Sequence, residues 1–472
     1  MMGILLSMLG LGVVALAVCL LPATTQLDRR LAIGWGGIST GLVLCGILLA
    51  PNWLDSGAVI PWTHLFGFAL EFRSTGLSAL LSLATLAIGA VSLWVSPPPS
   101  RWGVLGVLLL QFALLCVFNA GDLLTLFIGW ELTMVPVYFG LVAHGTDRGK
   151  QVAIRTFIIM LLGGMGWLLA LGLVLLMSSS MVPFSLFIPT GLPPVLEWVV
   201  GALLLLAFVI KAPLYPFHTW QADLYDAIPD YLRPLVVGVL SKLAPFAAMM
   251  VLPVVAPSLV AAIGRGPAPF LWWGVGLWCV VSACLASVMA VQHRSPMHIL
   301  AFLSMSHMGV GLAVALLGTS AILPVGLFLV AHTIITAALA WLIQAIPNWR
   351  LPESWGGLSA THPHLAWAFL VLILGMIGLP GTIGFVAELG ILARLLWSYP
   401  LLIGGVALVP VVLNAWAALR WWTRLSWGEP PVASSTGIHP TVGWVVLMMA
   451  GLVIVFGIMP SVLQRVVSVA LG

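Results

Sequence analysis

The sequence predicts an all-α integral membrane protein of about fourteen transmembrane helices, with two five-helix inverted repeats and two broken helices. Three observations predict it. Of 472 residues, 62% are hydrophobic and 6% charged, with a mean hydropathy of +1.18, whereas soluble domains carry about 25% charge. The apolar runs match a hydrocarbon core of about 30 Å, which a helix crosses with roughly 20 residues. Backbone in lipid must satisfy its own hydrogen bonds, which favours helices over open strands. Finally, a few lysines and glutamates sit inside the greasiest runs, two of them close to proline or glycine breaks.

Apolar runs broken by Pro, Gly and charge place spans at 3–22, 32–50, 76–96, 102–119, 122–142, 153–177, 196–222, 232–254, 270–291, 297–317, 321–346, 364–396, 400–419 and 441–462. The first run, MMGILLSMLGLGVVALAVCLLP, lacks a basic start and a small-residue cleavage site, and reads as a retained helix. Residues 51–75 mix aromatic and polar side chains and suit the membrane interface. The chain therefore divides into 1–75 (two helices and the interfacial segment), 76–101 (third helix), 102–254 (first repeat), 270–424 (second repeat) and 425–472 (C-terminal helix). Cys19, Cys45, Cys116, Cys279 and Cys284 have no metal-type spacing and read as small packing residues. Tryptophan pairs such as Trp272–Trp273 and Trp421–Trp422 suit belts at headgroup level.

Loop charge gives a sidedness. With loops assigned alternately, one side collects Arg29, Arg30, Arg101, Arg148, Lys150, Arg233, Arg294, Arg350, Arg420 and Arg424; the other has Arg73, Arg265 and Arg465. By the positive-inside rule the first side is cytoplasmic, which puts both termini outside. A net charge of +4 belongs to loops and does not suggest nucleic acid.

Four ionisable residues fall where the bilayer is deepest. Glu131, in DLLTLFIGWELTMVPVYFG, lies nine residues into its span, or about 13 Å at 1.5 Å per residue. Lys211 is mid-span in LLLLAFVIKAPLYPFHT, Lys242 in LRPLVVGVLSKLAPFAAMM, and Glu388 is deep in the span holding GLPGTIGFVAELGIL. A charge at the bilayer centre costs about 2.5–3.5 kcal/mol on insertion scales, so such residues are rare unless paired, hydrated or functional. One reading makes them mutual locks between helices; such locks are replaceable by apolar packing at little cost. The sharper reading is proton carriage, since desolvation and a nearby carboxylate push a lysine in opposite directions.

Pro213 and Pro216 follow Lys211, and Leu379-Pro380-Gly381 with Gly384 precede Glu388. Both sequences should break their helices and free backbone groups near the midplane. The breaks lie five spans apart, so their helices cross in opposite directions, the pattern of an inverted repeat. His307 and His332 fall inside spans, and with His298, Ser304 and Ser306 they suit a hydrated relay between Lys242 and Glu388; single membrane histidines also serve in packing. There is no P-loop, dinucleotide fingerprint or CxxC set, so no redox cofactor is expected in this chain.

WELTMVPVYF, VIKAPLYPFHTW, VGVLSKLAPFA, LAFLSMSHMGVGL and IGLPGTIGFVAELGIL, in this order, resemble the antiporter-like, proton-translocating membrane subunits of respiratory complex I (the NADH-quinone oxidoreductase chain M type), related to multisubunit Na+/H+ antiporter subunits. The resemblance covers roughly residues 75–462. It implies that Glu131 pairs with Lys211, Lys242 is a central relay, His307 and His332 line the route, and Glu388 serves a half-channel toward the outer surface. It implies a non-redox translocase subunit among other membrane subunits and lipid, with quinone and iron–sulfur clusters in partner subunits, in a bacterial inner membrane or equivalent. The same charges without electron transfer would suit an Na+/H+ antiporter or an inorganic-carbon uptake complex. The chain N type is also resembled, by PFHTWQADLYDAIP and VLSK; Tyr225 stands where the M-type pattern has histidine.

Overall fold

The computed structural model describes residues 59–468 except 66–67, 99, 144–145, 178–184, 187–189, 259, 261–268, 347–355, 429–437 and 439. The spans expected at 3–22 and 32–50, with Cys19, Cys45, Arg29 and Arg30, lie outside the described residues, as do Arg265 and Arg350. Among the described residues, eleven helices are long and apolar enough to cross a membrane.

Part of the segment read as interfacial is a two-stranded antiparallel sheet, β1 (Val59–Leu65) with β2 (Phe68–Arg73). Counting apolar helical runs misses it, because its backbone bonds come from across the hairpin and from the loop at Asn119–Gly121, two helices further on. Arg73 N–H donates to Asn119 O at 2.8 Å and Gly121 N–H to Glu71 O at 2.8 Å.

Helix α1 (Gly76–Val95) starts at Thr75, whose hydroxyl accepts from Ser78 N–H, and leads to α2 (Arg101–Phe118). The span expected at 122–142 is two helices, α3 (Leu123–Leu132) and α4 (Met134–Ala143). Asp122 caps α3, accepting from Leu124 and Thr125 N–H, and it also takes Glu71 N–H at 2.7 Å. Pro136 cannot donate to the Leu132 carbonyl four residues back, which explains the joint at Thr133. Next come α5 (Asp147–Met177) and α6 (Pro194–Lys211), which stops at the lysine. After residues 212–218 the chain resumes as α7 (Thr219–Ala227).

The span expected at 232–254 is also interrupted. It consists of α8 (Arg233–Gly238), a 3-10 turn Leu240–Lys242 and α9 (Leu243–Val255). Pro245 leaves the Ser241 carbonyl without its helical donor, so the chain tightens at Lys242. Arg233, read as a loop cation, is buried at 0% exposure, donating to Tyr225 O at 3.0 Å and Ile228 O at 2.7 Å and pairing with Asp230.

Helices α10 (Pro269–Gln292), α11 (Pro296–Ala315) and α12 (Ile322–Ala345) follow. After the short α13 (Leu358–Thr361), the second expected break appears between α14 (Pro363–Met376) and α15 (Ile383–Ser398). Glycine is required there: Gly378 has φ +66°, and a Cβ on Gly384 would lie 1.7 Å from Gly375 O. The chain ends with α16 (Leu401–Val406), α17 (Leu408–Ser426), α18 (Pro440–Ile458) and α19 (Pro460–Ser468).

Burial sorts these helices into centre and rim. The apolar windows of Arg233–Val255 and Pro296–Ala315 are each 94% buried and that of Gly318–Ala345 is 89%, against 33% for Pro440–Ile458. The helices carrying Lys242, His307 and His332 are therefore the core, while α5 turns Ile154, Ile158, Leu161, Met165 and Leu168 outward as a lipid-type face. Cys116, Cys279 and Cys284 are free thiols.

Candidate functional site

The polar interior begins with Lys211, which is 1% exposed. Its ammonium donates to Thr133 Oγ1 at 3.0 Å and approaches Met134 Sδ at 3.5 Å, both from the α3–α4 joint. It also stands 5.0 Å from the Trp130 ring centre, within cation–π range. Trp130, Trp167 and Phe208 form an aromatic wall with ring centres 4.9, 5.5 and 6.1 Å apart.

The expected partner, Glu131, is placed differently. Within 4.0 Å no ion pair joins Glu131 to Lys211 among the described residues. The two charges act on each other only through Coulomb attraction. The Glu131 carboxylate instead lies against α5 at Gly164, where a Cβ would meet Oε1 at 2.6 Å. The side chain two residues on, Thr133, at the α3–α4 joint, takes the amine.

Lys242 is 0% exposed and all three of its donors are used. They reach Val237 O at 2.9 Å, Ser241 Oγ at 2.7 Å and Thr336 Oγ1 at 3.1 Å. Every acceptor is neutral. Thr336 in turn donates to His332 O at 2.7 Å, so one turn of α12 brings His332 to the same face.

His332 is 3% exposed and both ring nitrogens lack hydrogen-bond partners among the described residues. It lies within electrostatic range of Lys242 and His307, with its ring centre 5.1 Å from that of His307. His307 bonds through Nδ1 to Leu303 O at 2.7 Å, and through Nε2 to Met376 O at 3.0 Å and Glu388 Oε1 at 2.9 Å. Met376 is the last residue of α14, so the second break supplies the carbonyl that orients the imidazole. Here the broken helix and the carboxylate predicted near it meet one histidine.

His307 and Glu388 line a cavity of about 30 Å³, room for a water molecule, with Ser306, Phe328 and Asn414 also in its lining. Asn414 Nδ2 donates to Ser306 Oγ at 2.9 Å, and Ser306 and Ser287 share a hydrogen bond of 2.8 Å.

The structure thus brings Lys242, His332, His307, Glu388 and Ser306 into one line, with Lys211 and Glu131 in a separate cluster at the α3–α6 contact. His298 is apart from both. It stacks on His293 with centres 5.3 Å apart at the start of α11, near the charges of Asp223, Asp226 and Arg148. Sequence reasoning missed Thr133, Ser241, Thr336 and Asn414. Two had a local signal: Ser241 adjoins Lys242 in VLSK, and Thr336 is one helical turn from His332. Asn414 had none. Among the described residues no group of three or more His, Cys, Asp or Glu is arranged to hold a metal ion.

A bundle of apolar helices enclosing this file of lysine, histidine and carboxylate defines a multi-pass integral membrane protein of the antiporter-like class. The chain belongs to the NADH:quinone oxidoreductase/Mrp antiporter transmembrane family, whose model matches residues 120–413. It is similar to NADH-quinone oxidoreductase subunit M of Pseudomonas aeruginosa, 28% identical over 361 residues, 72% of this chain and 69% of that one. The subunit M of Rickettsia bellii is 25% identical over 349 residues, 71% and 67% of the two chains. The fold is also that of a chain in the Mrp complex of Dietzia sp., with TM-score 0.83, 21% identity and 99% and 96% of the chains covered. A chain of Thermus thermophilus respiratory complex I with bound NADH gives TM-score 0.80, 24% identity and 99% of each chain.

Proposed function

We infer that this chain is the antiporter-like membrane subunit of a type-I NAD(P)H or ferredoxin:quinone oxidoreductase complex. It moves protons across the membrane while quinone is reduced in a neighbouring module, whose subunits hold the quinone and the iron–sulfur clusters. The observation that carries this is Lys242: a lysine with 0% exposure, three neutral oxygen acceptors and, among the described residues, no carboxylate within ion-pair distance. A structural ion lock needs an opposite charge in contact. A proton carrier needs an amine whose charged and neutral forms are both tolerable.

Protons pass along the membrane midplane from Lys242 past His332 to His307, and reach Glu388 and the water-sized cavity beside it. Glu131 and Lys211 form the input of this line; their charges sense each other across a gap, so a small shift at the α3–α4 joint changes their attraction. Residues 102–254 and 270–424 act as two inverted repeats, a reading supported by the interruptions after Lys211 and before Glu388. The protein resides in a bacterial inner membrane or an equivalent energy-coupling membrane, with both termini on the outer side, as its arginine distribution favours.

The test is Lys211→Ala in the assembled complex, reconstituted in vesicles. The number of protons moved per electron falls; an unchanged ratio refutes the assignment. The likeness to the Mrp complex chain favours a second reading, an Na+/H+ antiporter subunit, with an inorganic-carbon uptake complex as its variant. Sodium-dependent pH gradients in vesicles lacking any electron donor would select it.

A further inference from the structure

The first break is followed by a buried phenol that the proton line described above does not use. Tyr225 is 1% exposed, on α7, the helix that resumes after the first break. Gln221, one turn earlier, donates Nε2–H to the phenol oxygen at 2.9 Å. The phenol also faces the hydroxyls of Ser241 and Ser304. Ser241 is the residue whose Oγ accepts from Lys242 at 2.7 Å. Ser304 lies on α11, one turn before His307; it is 0% exposed and its Oγ has no hydrogen-bond partner among the described residues. Gln221 Oε1, also at 0% exposure, is likewise unpartnered.

The hydrogen-bonding capacity of a phenol makes this arrangement directional. Tyrosine has one O–H donor and two acceptor lone pairs. Gln221 occupies one lone pair, so the O–H turns either to Ser241, which touches Lys242, or to Ser304, on the histidine helix. The backbone does not turn with it: Arg233 Nε holds Tyr225 O at 3.0 Å, and Trp220 Nε1 ties the start of α7 to Ile210 O at 3.0 Å.

We propose that Tyr225 is a two-position proton link, its hydroxyl handing protons between Ser304 on α11 and the Ser241–Lys242 pair. The proposal rests on reading Lys242 as a proton carrier. In the step toward Lys242, a proton arrives from the Ser304 side at the free lone pair of the Tyr225 oxygen. The original phenolic proton leaves to Ser241 Oγ, whose own O–H swings from Val237 O, to which it donates at 2.9 Å, toward the neutral amine of Lys242 and gives up its proton there. Each hydroxyl gains one proton and gives one up, so both end neutral and only Lys242 gains charge. Turning the Tyr225 O–H back toward Ser241 resets the link, and that turn is the gate.

The experiment measures protons moved per electron in vesicles containing the whole complex, with assembly checked on native gels, for Tyr225→Phe, Tyr225→His and Lys242→Ala. Tyr225→Phe keeps the ring and removes the hydroxyl, and is expected to lower the ratio by the same step as Lys242→Ala. Tyr225→His restores a side chain that can pass a proton, and is expected to recover the ratio while giving turnover a new pH dependence near neutrality. A wild-type ratio in Tyr225→Phe beside a lowered one in Lys242→Ala overturns the link alone. Equal loss in the Phe and His variants assigns Tyr225 to packing and overturns it too. An unchanged ratio in Lys242→Ala sinks both the link and the functional reading beneath it. If Tyr225→Phe does not assemble, Ser241→Ala breaks the same path with Lys242 still held by Val237 and Thr336, and the same outcomes apply.

Discussion

Replacing Lys242 by methionine separates a proton carrier from a structural lock. The lysine donates to Val237 O at 2.9 Å, Ser241 Oγ at 2.7 Å and Thr336 Oγ1 at 3.1 Å. At about 1.5–3 kcal/mol for each hydrogen bond to a charged group, the three contribute roughly 5–9 kcal/mol. Against that stands a desolvation penalty of several kcal/mol for a fully buried ion, with no counter-charge in contact among the described residues to offset it. Methionine fills a similar volume and leaves no acceptor stranded: Val237 O still receives Ser241 Oγ at 2.9 Å and Thr336 Oγ1 at 3.3 Å. The two terms offset each other to within a few kcal/mol, and buried ions that give way to apolar isosteres leave stability unchanged or raise it by about 1–4 kcal/mol. The assay is thermal unfolding of the solubilised complex, beside protons moved per electron in vesicles. The expected result is an unchanged or higher unfolding midpoint with the proton ratio lowered. A destabilisation above about 3 kcal/mol, or an intact ratio, would refute the reasoning.

Arg233→Met is expected to behave in the opposite way, although it too removes a buried cation. It strands the carbonyls of Tyr225 and Ile228, which the guanidinium holds at 3.0 and 2.7 Å, and two orphaned acceptors cost about 2–6 kcal/mol; a lowered midpoint in the same unfolding assay checks this. Gly384→Ala puts a Cβ 1.7 Å from Gly375 O, backbone against backbone, and is expected to cost at least about 1–3 kcal/mol, read as lost assembled complex on native gels. Gly164→Leu drives a side chain into the Glu131 carboxylate, whose Oε1 would lie 2.6 Å from the new Cβ. The proton ratio is expected to fall about as far as in Lys211→Ala; a normal ratio would show that the position of Glu131 does not matter.

Much of the fold was legible because lipid imposes simple rules. Length and hydropathy alone placed the spans from Gly76 onward, although the one expected at 153–177 starts at Asp147, the one at 196–222 stops at Lys211 and the one at 400–419 runs on to Ser426; proline and glycine marked both large breaks. The smaller interruptions at Thr133 and Lys242 were missed although Pro136 and Pro245 signal them, since a proline three residues into a helix is compatible with a continuous span. Strand pairing at 59–73 escaped because its hydrogen bonds connect segments that are distant in sequence, including the loop at Asn119–Gly121. Arg233 reads as a loop cation from its position at a span end, and only packing shows it donating to buried carbonyls.

By itself the sequence determined the membrane class, the order of the helices, and the identity of the costly residues: Glu131, Lys211, Lys242, His307, His332 and Glu388 stand out because charge and imidazole are expensive in lipid. Tertiary structure decided which of them meet. It set Glu388 on His307 at 2.9 Å, gave Lys211 to Thr133 in place of the carboxylate of Glu131, and surrounded Lys242 with neutral oxygens from α8, its own turn and α12. The reason is geometric. A hydrogen bond is won or lost within a few tenths of an ångström, and whether a side chain reaches its partner depends on where two distant helices cross and turn, which spacing along one chain does not encode.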